Sequence, residues 1–113
     1  MKIFNKTRST IVAQNAWEAS GMLERLRGLL GKSHLKQGEA LILRSCQSIH
    51  TFFMRFTIDV IFVDSQNKVV LVRNKLKPWR LSPICLKATY AIELPAGMIV
   101  ATSTIKGDEL VIS

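Results

Sequence analysis

The sequence predicts an α+β, mostly β fold, in which a small, partly closed antiparallel sheet or barrel carries one main α-helix. Several short apolar runs are bounded by turn residues, and one stretch has helical periodicity. At 113 residues the chain is too short for two stable cores. Closure would also protect the strand edges of so small a sheet. We therefore expect residues 1–113 to form a single globular domain.

The main helix is predicted after two short strands, at Ile3–Phe4 and Ser9–Gln14. Asn15 and Glu18 have the spacing of a capping box, a pattern typical of a helix start. We expect the helix to run from about Ala16 to about Leu30. Apolar residues recur at helical spacing within it: Ala19, Leu23, Leu26 and Leu30.

The pattern then changes to β. Short runs rich in β-branched residues, each bounded by turn residues, predict five strands: Ala40–Arg44, Ile58–Val63, Lys68–Arg73, Ala88–Leu94 and Glu109–Ser113. The second and third of these read as a hairpin. Its turn is expected at Asp64–Asn67, since asparagine tolerates the left-handed conformation that such a turn requires.

Charge and composition limit the classes of molecule expected to bind this protein. With 16 Lys and Arg against 8 Asp and Glu, the net charge of +8 attracts anions such as nucleic acid, acidic lipid head groups or acidic proteins. The apolar runs are too short to span a bilayer, and the first ten residues lack the apolar core of a signal peptide. We therefore predict a cytoplasmic protein with no membrane partner. Cys46 and Cys85 stand in no metal-finger spacing, which favours reduced thiols.

The segment from Cys46 to Asp64 is the first candidate site, because it sets polar groups among aromatic and β-branched residues. Such groups are costly to bury unless they are paired or have a function. We predict a cleft that binds a small molecule or a protein segment, with apolar walls and a few orienting polar groups. Six residues would line this cleft: His50, Thr51, Phe53, Met54, Asp59 and Glu93.

Each of these polar residues also has a structural interpretation. His50 either fixes a loop between two strands or contacts a ligand or proton. Strand alternation puts Asp59 on one face with Ile61 and Val63, where a buried carboxylate would pair with Arg55, Arg80, His50 or backbone donors.

Glu93 is expected near the rim of the sheet. If Glu93 and Asp59 converged, one could hold a proton while the other stayed ionised, and His50 with either could perform acid–base chemistry. Whether the protein is an enzyme stays open at this stage.

A metal site is not predicted. Cys46, His50 and Met54 are soft ligands of the kind that suits copper, but four-residue spacing in extended chain separates them too far. No other closed-site spacing occurs in the sequence, and no cofactor is predicted.

The second candidate site is a basic loop. No acidic residue lies between Asp64 and Glu93, and Lys75, Lys77 and Arg80 surround Trp79. Such a loop can hold phosphates and stack a ring on an unpaired base, which makes an RNA-binding module the alternative function. The structural interpretation is a solvated loop with Trp79 packed beneath it.

The order of several short motifs resembles a known family. These motifs are Arg27–Leu29, His50–Met54, Ile58–Phe62, Lys77–Trp79, Glu93–Gly97 and Gly107–Asp108. Together they resemble domain-of-unknown-function family 192, small bacterial and archaeal domains with no established activity. Thr57 stands where proline would be expected, and Asn67 where glycine is frequent. The resemblance implies a compact, mostly β fold with one helix and implies no mechanism.

Overall fold

The computed structural model describes residues 1–19, 35–52 and 54–113, and these form eight strands and one short helix. In chain order the elements are β1 (Ile3–Asn5), β2 (Thr10–Ala13), β3 (Asn15–Ala19), β4 (Glu39–Arg44), β5 (Ile58–Val63), β6 (Val69–Leu76), β7 (Tyr90–Pro95), α1 (Met98–Ala101) and β8 (Leu110–Ile112). The predicted mostly β fold is confirmed.

The strands form two sheets. A three-stranded antiparallel sheet has the order β2-β1-β8, and a five-stranded sheet has the order β3-β4-β7-β5-β6. In the larger sheet β3 lies parallel to β4, while the other neighbours are antiparallel. The sheet is therefore mixed rather than purely antiparallel, and among the described strands neither sheet closes into a barrel.

The predicted hairpin is present, with β5 at the predicted bounds and β6 extending to Leu76. Its turn depends on Asp64, whose Oδ1 accepts hydrogen bonds from the backbone N–H groups of Gln66 and Lys68 at 2.9 and 3.0 Å. Asn67 has φ 61°, so asparagine serves at a position where glycine would be the least strained residue.

The predicted start of the main helix is wrong. Asn15–Ala19 forms β3, paired in register with Glu39–Leu43, because a long-range ladder outweighs a local capping signal. The rest of the predicted helix, residues 20–30, lies outside the described residues. The helix that the structure does describe, α1, was not predicted. No helix in the described ranges has the length and apolar character that crossing a membrane requires.

The larger sheet is buried on both faces, and this arrangement positions the candidate sites. The first face packs against the smaller sheet and α1, and its core includes Ile3, Ile42, Ile61, Ile92, Leu94, Ile99 and Leu110. The second face has a separate core that includes Leu41, Ile49, Met54, Val60, Phe62 and Ala91. Strands buried on both faces are mostly apolar, as β5 is, where Asp59 is the one polar residue among six.

Candidate functional site

The second face is covered by an irregular ribbon, formed by residues 46–52 running antiparallel to residues 79–86. Backbone bonds join Thr51 N–H to the Arg80 carbonyl at 2.9 Å and Ser82 N–H to the Ile49 carbonyl at 2.8 Å. His50 and Leu81 form an isolated bridge between the two segments. The buried side chain of Ile49 ties the ribbon to the core beneath it.

Thr51 joins the two candidate sites into one. Its buried hydroxyl donates to the Lys77 carbonyl at 2.5 Å and accepts from Arg80 N–H at 2.9 Å. Its own carbonyl accepts from Trp79 N–H at 2.9 Å. These bonds hold the basic loop against the segment that carries His50, although some 26 residues of chain separate Thr51 from Lys77.

Three aromatic rings form a row along this junction. The ring centroids of His50 and Phe52 are 5.2 Å apart with 27° between the ring planes, a stacked arrangement. Those of Phe52 and Trp79 are 6.1 Å apart at 34°. Trp79 is 56% exposed, so it does not pack beneath the loop. A row of rings with an exposed end can receive a further planar group by stacking.

Exposed cations precede and follow Trp79 in the basic loop. Lys75, Lys77 and Arg80 are exposed, and none forms an ion pair within 4.0 Å of a described carboxylate. By contrast, Arg44 pairs with Glu18 at 2.8 Å. We name this region the aromatic–basic surface: His50, Phe52, Lys75, Lys77, Trp79 and Arg80.

Asp59 lies on the first face of the sheet. It is fully buried, as predicted. Its Oδ1 accepts from Lys75 N–H at 2.9 Å, and its Oδ2 accepts from Gly97 N–H at 3.1 Å and Ile99 N–H at 2.8 Å. Its partners are therefore backbone donors rather than arginine or histidine side chains. Through these three hydrogen bonds, Asp59 holds the end of β6 and the start of α1 against β5.

Glu93 is also fully buried, but on the second face. It lies in the middle of β7, in register with Leu41 of β4 and Val60 of β5, rather than near the rim where it was expected. Because Asp59 and Val60 are consecutive, their side chains point to opposite faces. Asp59 and Glu93 therefore do not converge into an acid–base pair.

The other predicted cleft residues are likewise divided between different places in the fold. Met54 is buried in the second core, and Thr51 is buried by its bonds to the basic loop. Phe53 lies outside the described residues. His50, half-buried, belongs to the row of rings.

Comparison with known proteins identifies the family. The model of DUF192, described as "Uncharacterized ACR", matches residues 3–112. The chain belongs to this family. A UPF0127 protein of Thermococcus sibiricus is 35% identical over 112 residues, which cover 96% of this chain and 72% of the relative. The resemblance inferred from the short motifs is thus confirmed.

Two solved structures share the fold of this DUF192 chain. A protein of unknown function from Novosphingobium aromaticivorans has a TM-score of 0.83 at 16% identity, covering 99% of this chain and 84% of the other. A Sinorhizobium meliloti protein, named as a candidate transcription regulator, has a TM-score of 0.79 at 15% identity, covering 97% and 89%. At these identities the likeness concerns the fold alone.

The family-like motifs meet in space. Thr51, within the motif His50–Met54, binds the motif Lys77–Trp79 directly. Asp59, within Ile58–Phe62, binds the N–H of Gly97, the last residue of the motif Glu93–Gly97. The DUF192 motifs thus include the residues that hold the ribbon and the sheet together.

Cys46, one of the three soft ligands, has a backbone partner. The Cys46 thiol donates to the Ser48 carbonyl at 3.1 Å, and neither Cys46 nor Cys85 forms a disulfide. Within the described ranges, no three His, Cys, Asp or Glu residues are grouped so that they could hold an ion.

Sequence reasoning missed four residues of the ribbon: Phe52, Leu81, Ile84 and Leu86. Phe52 is the central ring of the row, and the other three are exposed aliphatic side chains. A signal was present, because bulky aliphatic residues on both sides of a proline belong to no alternating strand pattern.

Proposed function

We propose that this protein binds single-stranded nucleic acid, RNA in the first place, on the aromatic–basic surface. The observation that carries this proposal is the row of rings from His50 to Trp79 beside three cations that no described carboxylate neutralises. Rings stack on unpaired bases, and lysine and arginine bind the phosphates between them. Trp79 and the three cations are exposed here, while His50 and Phe52 are half-buried.

The rigidity of the surface supports binding. Thr51 fixes the loop through its hydroxyl and its carbonyl, so Trp79 and Arg80 are held before a ligand arrives. A preorganised surface loses less conformational entropy on binding than a free loop does. The net charge of +8 adds a long-range attraction for polyanions.

A small-molecule cleft has less support. Of the six residues expected to line it, Thr51, Met54, Asp59 and Glu93 are buried, so a ligand would have to displace core side chains to reach them. The hydrogen bonds of Asp59 give that carboxylate a structural role. The name of the Sinorhizobium structure agrees with a nucleic-acid ligand, although its likeness to this chain is one of fold.

The test is fluorescence anisotropy with a labelled single-stranded RNA of about 12 nucleotides, within the range that small binding domains cover. We expect binding that weakens steeply with salt, because three phosphate contacts release counterions. Trp79→Ala should weaken binding by roughly 5- to 150-fold, as the loss of one stacked base does. The contribution of charge is tested with Lys77→Ala. Lys106→Ala, which removes an exposed lysine elsewhere, is the matched control for that variant.

A second ligand separates stacking from charge. A strand with the same number of phosphates but no bases should bind weakly to the unmodified protein and should not discriminate it from Trp79→Ala. Equal affinity for both strands would contradict the proposal, since it would leave only a non-specific attraction between a basic protein and a polyanion. A loss on Lys106→Ala as large as that on Lys77→Ala would contradict it as well.

A further inference from the structure

Three aliphatic side chains on the ribbon are strongly exposed: Leu81, Ile84 and Leu86, at 64%, 72% and 78%. We name them the aliphatic edge. Single exposed apolar residues are normal on protein surfaces, but three within six residues indicate an interaction site. A nucleic acid offers little to aliphatic groups of this kind, so the aliphatic edge requires a different partner.

The aliphatic edge is held in place by hydrogen bonds. Ser82 bonds Ile49 twice, its N–H donating to the Ile49 carbonyl and its Oγ accepting from Ile49 N–H, each at 2.8 Å. Cys85 N–H donates to the Gln47 carbonyl at 2.8 Å, and the Gln47 amide donates to the Leu86 carbonyl at 2.9 Å. The three side chains are therefore exposed by a fixed backbone and not by a free loop.

The charge around the aliphatic edge is positive. Lys77 and Arg80 precede it and Lys87 follows it, all exposed, and the sequence has no acidic residue between Asp64 and Glu93. Aliphatic side chains flanked by cations and an exposed tryptophan are suited to bind where the head groups of an anionic bilayer meet its acyl chains. There the apolar groups enter the acyl region while lysine and arginine remain among the head groups.

We propose that the aliphatic edge docks this protein on an anionic lipid surface. Leu81, Ile84 and Leu86 enter the outer part of the bilayer, and Lys77, Arg80 and Lys87 bind the phosphates of the head groups. Such a contact lies on one leaflet and requires no membrane-spanning element. It goes beyond the proposed nucleic-acid function, since the aliphatic edge shares no residue with the aromatic–basic surface; only the flanking cations Lys77 and Arg80 serve both.

The experiment is co-sedimentation with phosphatidylcholine vesicles that contain one quarter phosphatidylserine, compared with pure phosphatidylcholine. We expect the unmodified protein to bind the anionic vesicles. The double variant Ile84→Ser, Leu86→Ser should bind them at least tenfold more weakly, since each aliphatic side chain withdrawn from water stabilises the complex. Val100→Ser is the matched control, because Val100 in α1 has the same 72% exposure as Ile84.

Each further outcome decides the proposal. Vesicle binding that survives the double serine variant would overturn it, because charge alone would then explain the attraction. A dimer in light scattering that the same variant dissociates, without vesicle binding, would overturn it in favour of a second copy as the occupant. The double variant should keep its RNA affinity and its unfolding midpoint. Failure of the nucleic-acid proposal would therefore appear separately, in the Trp79→Ala and base-free strand measurements.

Discussion

The two faces of the five-stranded sheet differ in how they are covered and in what their polar groups do. The first face lies under regular strands and α1, and the buried carboxylate of Asp59 there is satisfied by three backbone N–H groups. The second face lies under an irregular ribbon that carries the exposed ring of Trp79 and exposed cationic and aliphatic side chains. Irregular segments that pack on a rigid sheet often carry the functional residues of a protein.

The difference teaches that a polar residue in an apolar segment is a weak indicator of a site. Asp59 stood out in the sequence for this reason, yet its partners make it a structural residue. The structural interpretation of the basic loop packed Trp79 beneath it, yet Trp79 is exposed. Variants on the two faces test whether the first face stabilises the fold while the second face binds a ligand.

Replacing Asp59 should have the largest effect on stability. Asp59→Ala leaves three backbone N–H groups without their acceptor at a buried position, so we expect a loss of about 3–5 kcal/mol in the free energy of unfolding. Urea denaturation measures it. The matched control is Asp64→Ala, which removes a carboxylate that accepts two backbone bonds at an exposed turn and should cost about 1 kcal/mol or less. Equal losses would show that the first face does not depend on its buried carboxylate.

Asp108 belongs to a buried polar cluster with Asn5 and Thr104, and the effect of replacing Asp108 should depend on pH. Burial alone raises the pKa of Asp108, but hydrogen bonds from Asn5, the Ile105 N–H and Arg8 outweigh it, and the pKa is lowered from its ordinary 3.8. A carboxyl with a lowered folded-state pKa contributes stability above its unfolded pKa and loses it as the pH falls. At neutral pH, Asp108→Asn should cost about 2 kcal/mol.

The acid dependence provides the sharper test for Asp108. Urea unfolding at pH 7 and at about pH 3 should show a smaller difference for Asp108→Asn than for the unmodified protein, because the variant has no carboxyl to protonate at that position. Glu109→Gln is the control at a neighbouring residue. Glu109 forms two long ion pairs near the surface, at 3.8 and 3.9 Å. An unchanged pH difference in Asp108→Asn would contradict this assignment.

Tyr90 should show an intermediate effect at alkaline pH. Its buried hydroxyl donates to Asn67 Oδ1 at 2.8 Å, and burial raises the pKa of Tyr90 to about 12, although the Arg44 guanidinium acts to lower it. Since the folded-state pKa is raised, the stabilisation is present below the unfolded pKa near 10 and is lost as the pH rises towards 12. Tyr90→Phe should cost about 1 kcal/mol at neutral pH and remove this alkaline loss.

The titration of Tyr90 can be observed directly, because it is the only tyrosine of the chain. Ultraviolet absorbance of the phenolate in the folded protein should have its midpoint near pH 12, while the urea-unfolded chain should titrate near pH 10. A folded-state midpoint at the unfolded value would mean that the hydroxyl between the hairpin turn and the sheet is open to solvent.

Local pattern predicted much of the fold, and long-range pairing explains what it missed. The bounds of β5 follow from one short run rich in β-branched residues between turn residues, and alternation placed Asp59 on the same face as Ile61. The strand β3 depends on its ladder with β4, some 24 residues further on, which no local signal contains. Glu93 is deeply buried because β7 is the central strand of the larger sheet, and that position is set by the order of the strands. Phe52 meets Trp79 only because Thr51 fixes the basic loop.

Replacing Trp79 should have the smallest effect on stability and the clearest effect on binding. The side chain is largely exposed, so Trp79→Ala should change the free energy of unfolding by no more than about 0.5 kcal/mol. Thr51→Val is the matched contrast, since it keeps the volume but removes a buried hydroxyl bonded to Lys77 and Arg80, at a cost of about 1–3 kcal/mol. Both variants should lose RNA affinity, Trp79→Ala by losing a ring and Thr51→Val by releasing the loop. A Trp79→Ala protein that unfolds as readily as Thr51→Val would make the ring part of the scaffold, and the two faces would then no longer differ in kind.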